Sequence, residues 1–353
     1  MLLKRYTILG ATFFAFYKHV TKVISILKVS TKKNSNEKRH TMQELNLHRL
    51  KVILFSILAI AIVFSAYLFG AYSYPRNIWP LDLFRKIKQS TPLASTLGLA
   101  NADAFGRLTT YPNKSQVNCP TQTDQTAVLL VIGQSNSANH AEKKYTTENP
   151  KKVFNYYQGK CYVASSPLLG ASGEEGEFIT PLADKLIANG TYNLVVIISS
   201  GIAGNPISRW QKDGDLNEML LETLEEVKSK YKINNIIWHQ GESDFISSTS
   251  AKVYANSFHS LMNTIEIKGV KALTYIAVAT KCGLNATWTN DNPTAIGQKS
   301  LIDNKNIFLG ANTDTLLEKI DRKMGDDCHF SQSGQDKTSS AFAEAIAKSK
   351  KSN

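Results

Sequence analysis

The stretch VLLVIGQSNSANH, Val128–His140, decides the fold. Five apolar residues run up to Gly133, and then the chain turns polar at once: Gln134, Ser135, Asn136. An uninterrupted Val/Ile/Leu run of this length suits a strand covered on both faces. Downstream lie four more such runs, NLVVIISS (193–200), NNIIWHQ (234–240), ALTYIAVAT (272–280) and NIFLGA (306–311). Between and after them come helix-like stretches. FITPLADKLIANG (178–190) and AKVYANSFHSLMNTIEIKG (251–269) carry apolar residues at helical spacing. DLNEMLLETLEEVKSKY (215–231) places acids early and bases late, as a helix dipole favours. GQDKTSSAFAEAIAKSK (334–350) closes the chain. Strand and helix in alternation predict an α/β domain with a mostly parallel sheet. In such sheets ligands bind beyond the carboxyl ends of the strands. The residues that follow each strand are therefore the ones to read for chemistry.

Those ends collect a distinctive inventory. The first strand ends in Gln134-Ser135-Asn136 and the second runs into SSGIAGNPISRW (Ser199–Trp210). The third ends in WHQGESD (Trp238–Asp244) and the fourth in Lys281-Cys282-Gly283. GDDCHFSQSG (Gly325–Gly334) precedes the last helix. Acyl transfer needs a nucleophile, a base, an orienter for the base and donors for an oxyanion. A serine hydroxyl is too weak an acid to attack an ester unaided, so Ser135 requires an imidazole. His329 is the favoured base, because the Asp-x-x-His spacing lets Asp326 hold one ring nitrogen while the other faces the serine. His140 is the rival base, expected to point along a helix and away. Asp327 is the rival orienter. His239 and the tryptophans Trp210 and Trp238 read as packing. The Ser135 N–H, a glycine N–H of the 201–204 loop and the Gln240 amide are the oxyanion donors on offer.

Taken in order, Gly-Gln-Ser-Asn, the Gly-loop with PISRW, WHQGESD and the late Asp-x-x-His resemble the sialate O-acetylesterase-like branch of the SGNH (GDSL) hydrolases, which includes acetylxylan-type esterases. The resemblance covers roughly Thr126 to Lys350. It implies a three-layer, flavodoxin-like SGNH hydrolase fold and deacylation of O-acetylated carbohydrate with no metal and no cofactor. By position it implies Ser135 as nucleophile, His329 as base and Asp326 as its partner, with Ser135, Gly204 and Gln240 forming the oxyanion hole. Gln134, Asn136, Asn205 and Glu242 are the expected substrate contacts. Two positions depart from the pattern: Ser137 stands where Met is usual, and Ala203-Gly204-Asn205 where Gly-Gly-Thr is usual. Two other readings are a glycan-binding protein that keeps the fold without catalysis, and a sugar O-acyltransferase using the same acyl-enzyme. The intact serine, aspartate and histidine set favours catalysis.

The rest of the 353-residue chain places this domain. Up to Lys51 there are eleven Lys and Arg against two acids, Glu37 and Glu44, which accounts for +9 of the net +12. The basic surplus thus belongs to a tail, and no nucleic-acid face is expected on the remainder. No charge occurs between Lys51 and Arg76. The segment from Val52 is long enough for the roughly 20 apolar residues that a membrane-crossing helix needs. A cleaved signal peptide has a shorter core. The positive flank predicts residues 1–51 as a cytoplasmic tail and 52–72 as a single transmembrane signal anchor. Residues 73–124, broken by five prolines, read as a stalk, and 125–350 as the esterase domain outside the cytoplasm. YTILGATFFAF (Tyr6–Phe16) is a possible second membrane segment, or else part of an extension ahead of a start at Met42, which would leave a compact signal anchor. LDLFRKIK (81–88) reads as a short amphipathic stretch. All four cysteines, Cys119, Cys161, Cys282 and Cys328, follow the span. An even count on an oxidising side predicts disulfides, with three pairings open. Of these, Cys282–Cys328 would pin the His329 loop to the fourth strand, and Cys119–Cys161 would tie the stalk to the domain.

Overall fold

The computed structural model describes residues 48–62, 64–66, 101–283 and 287–352. The basic tail, the segment at Tyr6–Phe16, most of the stalk and LDLFRKIK lie outside them. The chain divides into two compact units, Met1–Asp82 and Leu83–Asn353. In the first, helix α1 (His48–Ala66) is long and apolar enough, by length and composition, to cross a membrane. Large apolar side chains along it, among them Leu50, Phe55, Ile60 and Phe64, are exposed. Nineteen residues at 1.5 Å rise span roughly 28 Å, close to the thickness of a bilayer's hydrocarbon core.

The second unit is built on one eight-stranded sheet, ordered β1-β4-β3-β5-β2-β6-β7-β8. Its strands are β1 (Gln116–Val117), β2 (Thr126–Gly133), β3 (Val153–Tyr157), β4 (Lys160–Val163), β5 (Leu194–Ser199), β6 (Asn235–His239), β7 (Leu273–Val278) and β8 (Ile307–Asn312). The six from β3 to β8 in that order are parallel, and β4 and β1 pair antiparallel at the β3 edge. The five expected strands are β2, β5, β6, β7 and β8. The sequence reading missed β3 and β4, which form a hairpin. Their turn is Gln158-Gly159, both at positive φ (47° and 73°), as a two-residue type I′ turn requires. With β1, which was also not expected, the sheet of five strands is widened by three.

Every residue of β2 is buried, because helices cover both sides of the sheet. Side chains alternate along a strand. Val128, Leu130 and Ile132 therefore pack against one face's helices, α3 (Asp215–Val227) and α5 (Ala251–Ile267), through Leu216, Met219, Leu220, Phe258 and Leu261. Ala127, Leu129 and Val131 pack against the other face's helices, α2 (Ile179–Ala188) and α7 (Gln332–Ser352), through Leu182, Leu186, Phe342 and Ile346. Two short helices were not anticipated: α4 (Glu242–Ile246) and α6 (Pro293–Ser300). Residues from 101 onward also join this unit. Leu108 is buried with Tyr157 and Leu169, and β1 extends the sheet.

From β2 the chain runs out to β3, returns to β5 beside β2, and then crosses to β6 on the other side. The carboxyl end of β2 is thus a topological switch point, where a crevice opens. Gly133 makes the turn out of that end possible. Its φ is +131°, and a Cβ there would lie 2.1 Å from the His239 carbonyl oxygen. Gly133→Ala combines a disfavoured backbone with a clash against β6, and is expected to cost at least ~3 kcal/mol of stability. Urea unfolding checks this. A variant within ~1 kcal/mol of the parent would contradict the close approach.

Candidate active site

The turn after β2 is short and heavily tied. Gln134 is extended, and Ser135–Ser137 form one 3-10 turn. The Ser137 hydroxyl donates back to the Gln134 carbonyl at 2.7 Å. The Gln134 N–H donates to His239 O at 2.9 Å, and its side-chain Oε1 accepts from Gly241 N (3.4 Å) and Ser243 N (3.2 Å). These bonds lock the end of β2 to the end of β6. Ser135 sits at their apex, only 5 % exposed. Its N–H and that of Gly204 donate to no other group among the described residues. Gly204 has φ +69°, lies at the surface, and has open space where a Cβ would be.

On the same side stands the His329 loop. His329 Nδ1 meets Asp326 Oδ2 at 2.8 Å, and the ring is a quarter exposed. Asp326 Oδ1 accepts from the N–H groups of Cys328 (2.9 Å) and His329 (3.0 Å). Burial pushes the Asp326 carboxyl up, but these N–H groups and the His329 ring outweigh it and hold it below the ordinary range. The partner of the ring is Asp326; Asp327 sits beside it at φ +51°. No hydrogen bond joins Ser135 to His329 directly among the described residues. The link runs through Asn136. Its Nδ2 donates to Cys328 O (3.3 Å) and to Glu242 Oε1 (3.0 Å), and its Oδ1 accepts from Phe330 N (3.3 Å).

His140 is not turned away, as the helical expectation had it. Its ring stacks on that of His329, centroids 5.5 Å apart. The residues after Ser137 do not continue as a helix: Ala138 is extended and closes the turn. His140 Nε2 lies 3.2 Å from Ser172 Oγ, which accepts from Ala203 N at 2.9 Å. Burial, and then the neighbouring His329, push the His140 imidazole down to about 4, so it stays neutral near pH 7.

Gln134, Asn136, Asn205 and Glu242, read from the sequence as substrate contacts, are all buried beneath the rim. Asn205 spends its amide on its own loop, at Ile202 O (3.0 Å) and Ala203 O (2.8 Å), and accepts from Arg209. Gln240 Nε2 donates to Asp244, to Asn205 O (3.1 Å) and to Gln134 (3.3 Å), while its oxygen accepts from Tyr254 at 2.9 Å. Burial pushes the Glu242 carboxyl up to about 7. Two groups went unnoticed in the sequence. Ser172 lies 32 residues from His140, and Arg322 has no motif. Arg322 is buried, lies over the Phe330 ring, and donates to the carbonyls of Cys328 (2.7 Å), Thr313 (2.7 Å) and Leu316 (3.1 Å).

Both anticipated disulfides are present. Cys119–Cys161 joins Cα atoms 5.0 Å apart, and Cys282–Cys328 joins Cα atoms 4.1 Å apart. The second fastens the His329 loop to the chain leaving β7. As the packing reading expected, His239 is fully buried among Phe178 and Phe330, and Trp210 and Trp238 lie in the core.

His239 Nδ1 makes no hydrogen bond, with Glu242 Oε1 3.8 Å away, and burial, with Arg322 nearby, pushes its imidazole down to about 3. The unfolded chain takes up this proton near pH 6.5, and the folded one near 3. Stability attributable to His239 is therefore intact above pH 6.5 and is lost as pH falls below it, by at most ~1.4 kcal/mol per unit. Urea unfolding at pH 7 and pH 5 should show a smaller acid loss for His239→Gln than for the parent. Equal losses would contradict the assignment.

The family described as carbohydrate esterase, sialic acid-specific acetylesterase, matches residues 125–348. Among solved structures, a protein from Arabidopsis thaliana is 15 % identical, over 65 % of this chain and 98 % of that one, with a TM-score of 0.47. NanS is also 15 % identical, over 65 % of this chain and 99 % of that one, with a TM-score of 0.47. Est24, a carbohydrate acetylesterase from Sinorhizobium meliloti, is 12 % identical over 62 % and 97 %, with a TM-score of 0.39. No curated protein matches the chain.

Proposed function

The chain belongs to the sialic acid-specific acetylesterase family of carbohydrate esterases, and from that premise we propose that it deacetylates glycans through a Ser135–His329–Asp326 triad. The observation that carries the proposal is the Asp326–His329 pair, held on the rim next to the Ser135 turn by Asn136. Ser135 Oγ attacks the acetyl carbonyl carbon while His329 Nε2 accepts its proton. Asp326 keeps the other ring nitrogen protonated and stabilises the imidazolium. The oxyanion is met by the free N–H groups of Ser135 and Gly204. Gln240, the third donor expected from the sequence, has its N–H groups directed at Asp244 and Asn205, and in this proposal it holds the Gly204–Asn205 loop in place. His329 then protonates the departing sugar oxygen. Water, deprotonated by the same imidazole, attacks the acetyl-serine and releases acetate, and His329 returns that proton to the departing Ser135 Oγ. His140 stacks behind His329 as a neutral ring and adds no competing charge.

In the same reading, β5-β2-β6-β7-β8 is the flavodoxin-like core of an SGNH hydrolase domain over 125–350, with helical layers on both faces. Residues 1–51 form a cytoplasmic tail, 52–72 a single span and 73–124 the stalk, whose part from 101 packs onto the domain. The length and composition of α1 and the basic residues before it support this topology. The test of function is acetate release from a panel of O-acetylated glycans and aryl acetates by the purified chain. Release from glycans that stops with Ser135→Ala is expected. Turnover of neither substrate class would refute the proposal.

A further inference from the structure

We propose that Asn136 is the positioning residue for the base, its side-chain amide clamping the backbone on both sides of His329 and itself oriented by Glu242. The inference rests on reading His329 as the base. The Cys328 carbonyl belongs to the peptide plane before the His329 Cα, and the Phe330 N–H to the plane after it. Asn136 bonds both, at 3.3 Å each. Two planes fixed on either side of one Cα fix the direction of its Cα–Cβ bond, and so where the imidazole is presented.

Asn136 is adjacent to Ser135 in the tight turn after β2, so one residue sets the nucleophile's place relative to the base. An amide can flip end for end, which would set its oxygen against Cys328 O and its nitrogen against Phe330 N. The Cys328 carbonyl, which can only accept, opposes the flip, and Glu242 Oε1, 3.0 Å from Nδ2, adds to this whenever it is ionised. Glu242 is held in turn by its place in α4, at the end of β6. Burial raises its carboxyl to about 7, and either protonation state leaves an oxygen able to accept from Asn136. The residues Cys328 and Phe330 are also held from behind by Arg322, through 2.7 Å to Cys328 O and the ring contact to Phe330. Arg322 therefore supports the loop, while Asn136 ties it to the turn that carries Ser135. A misplacement of about 1 Å in a reacting group can cost about a hundredfold in rate.

The test measures hydrolysis of 4-nitrophenyl acetate by the full chain in detergent, per folded molecule as judged by cooperative thermal unfolding. Asn136→Ala is expected to lower kcat by about 30- to 100-fold with KM changed less than about threefold. The acid limb of the pH profile should stay in place, because Asp326 moves with His329 in one loop. A kcat within about threefold of the parent, or a loss carried by KM alone, would overturn the clamp. Glu242→Leu and Glu242→Gln form a second pair, which decides the matter should Asn136→Ala fail to fold. Glutamine keeps an oxygen opposite Asn136 Nδ2 and is expected to recover about tenfold of the leucine variant's loss in kcat. Equal losses would contradict the orienting role of Glu242. His329→Ala separates the two levels. If it is inert while Asn136→Ala is unimpaired, only the clamp is wrong; if His329→Ala itself turns over normally, the reading of the base is wrong.

Discussion

Ser135→Ala and His329→Ala should each lower kcat for acetyl ester hydrolysis by on the order of 10⁴-fold or more, with the domain still folded. The reason is chemical. Without the hydroxyl there is no acyl-enzyme, and without the imidazole nothing takes the hydroxyl proton at neutral pH. Ser135 contributes little to the fold. Its carbonyl accepts from Ala138 N, and that bond survives the change to alanine. His329 is partly exposed, and its main partner is Asp326 in the same loop, so its removal opens no cavity in the core. Members of a triad act as a unit, so the double variant should be little worse than either single one. Circular dichroism with steady-state kinetics checks the pair. A folded Ser135→Ala protein that turns over normally would rule out covalent catalysis, and multiplying losses would show that the two residues act separately.

Removing the Cys282–Cys328 bridge should have the next largest effect, and on two quantities at once. The bridge closes a stretch of 46 residues, for which the chain-entropy treatment gives about 4 kcal/mol of stability. It also fixes Cys328, whose N–H binds Asp326 and whose carbonyl is gripped by Asn136 and Arg322. With the bridge gone, the loop is left to its hydrogen bonds, these three and those of His329 O with Lys323 N and Phe330 O with Glu142 N among them. In Cys282→Ala/Cys328→Ala, with Cys119–Cys161 intact, kcat should fall on the order of tenfold even well below the unfolding temperature. Kinetics at low temperature beside a melting curve separates the two effects. Unchanged kcat in a merely destabilised protein would show that the bridge serves the fold and not the site.

Much of this was legible in the sequence, for identifiable reasons. β2, β5, β6 and β7 are buried by helices on both faces, so their apolar runs are continuous and unmistakable, and β8 at the sheet edge is only partly buried but keeps a short apolar run. β3 and β4 escaped because VFNYY and KCYV are short and mixed, and only the Gln158-Gly159 turn marks them. The start of α6 was in fact signalled, by Asn292 capping Ala295 N before Pro293, but the helix is a short one after a polar loop. At the site, Asp326 and His329 are three residues apart, so local spacing was enough to pair them. His140 was misjudged because its direction depends on the chain turning extended at Ala138, which no local pattern announces. Arg322 and Ser172 act through tertiary contacts with no spacing to read. Glu242 was read as a substrate contact able to touch a sugar. It is buried because α4 begins directly at the end of β6 and turns it inward to Asn136.

The central claim, covalent catalysis at Ser135, is tested most directly by inactivating the chain with an organophosphorus ester and mapping the adduct by peptide mass spectrometry. The account predicts one phosphoryl group per chain, on the peptide carrying Ser135, with acetylesterase activity lost in proportion to labelling. An adduct on another residue, or full activity in a chain labelled at Ser135, would contradict it.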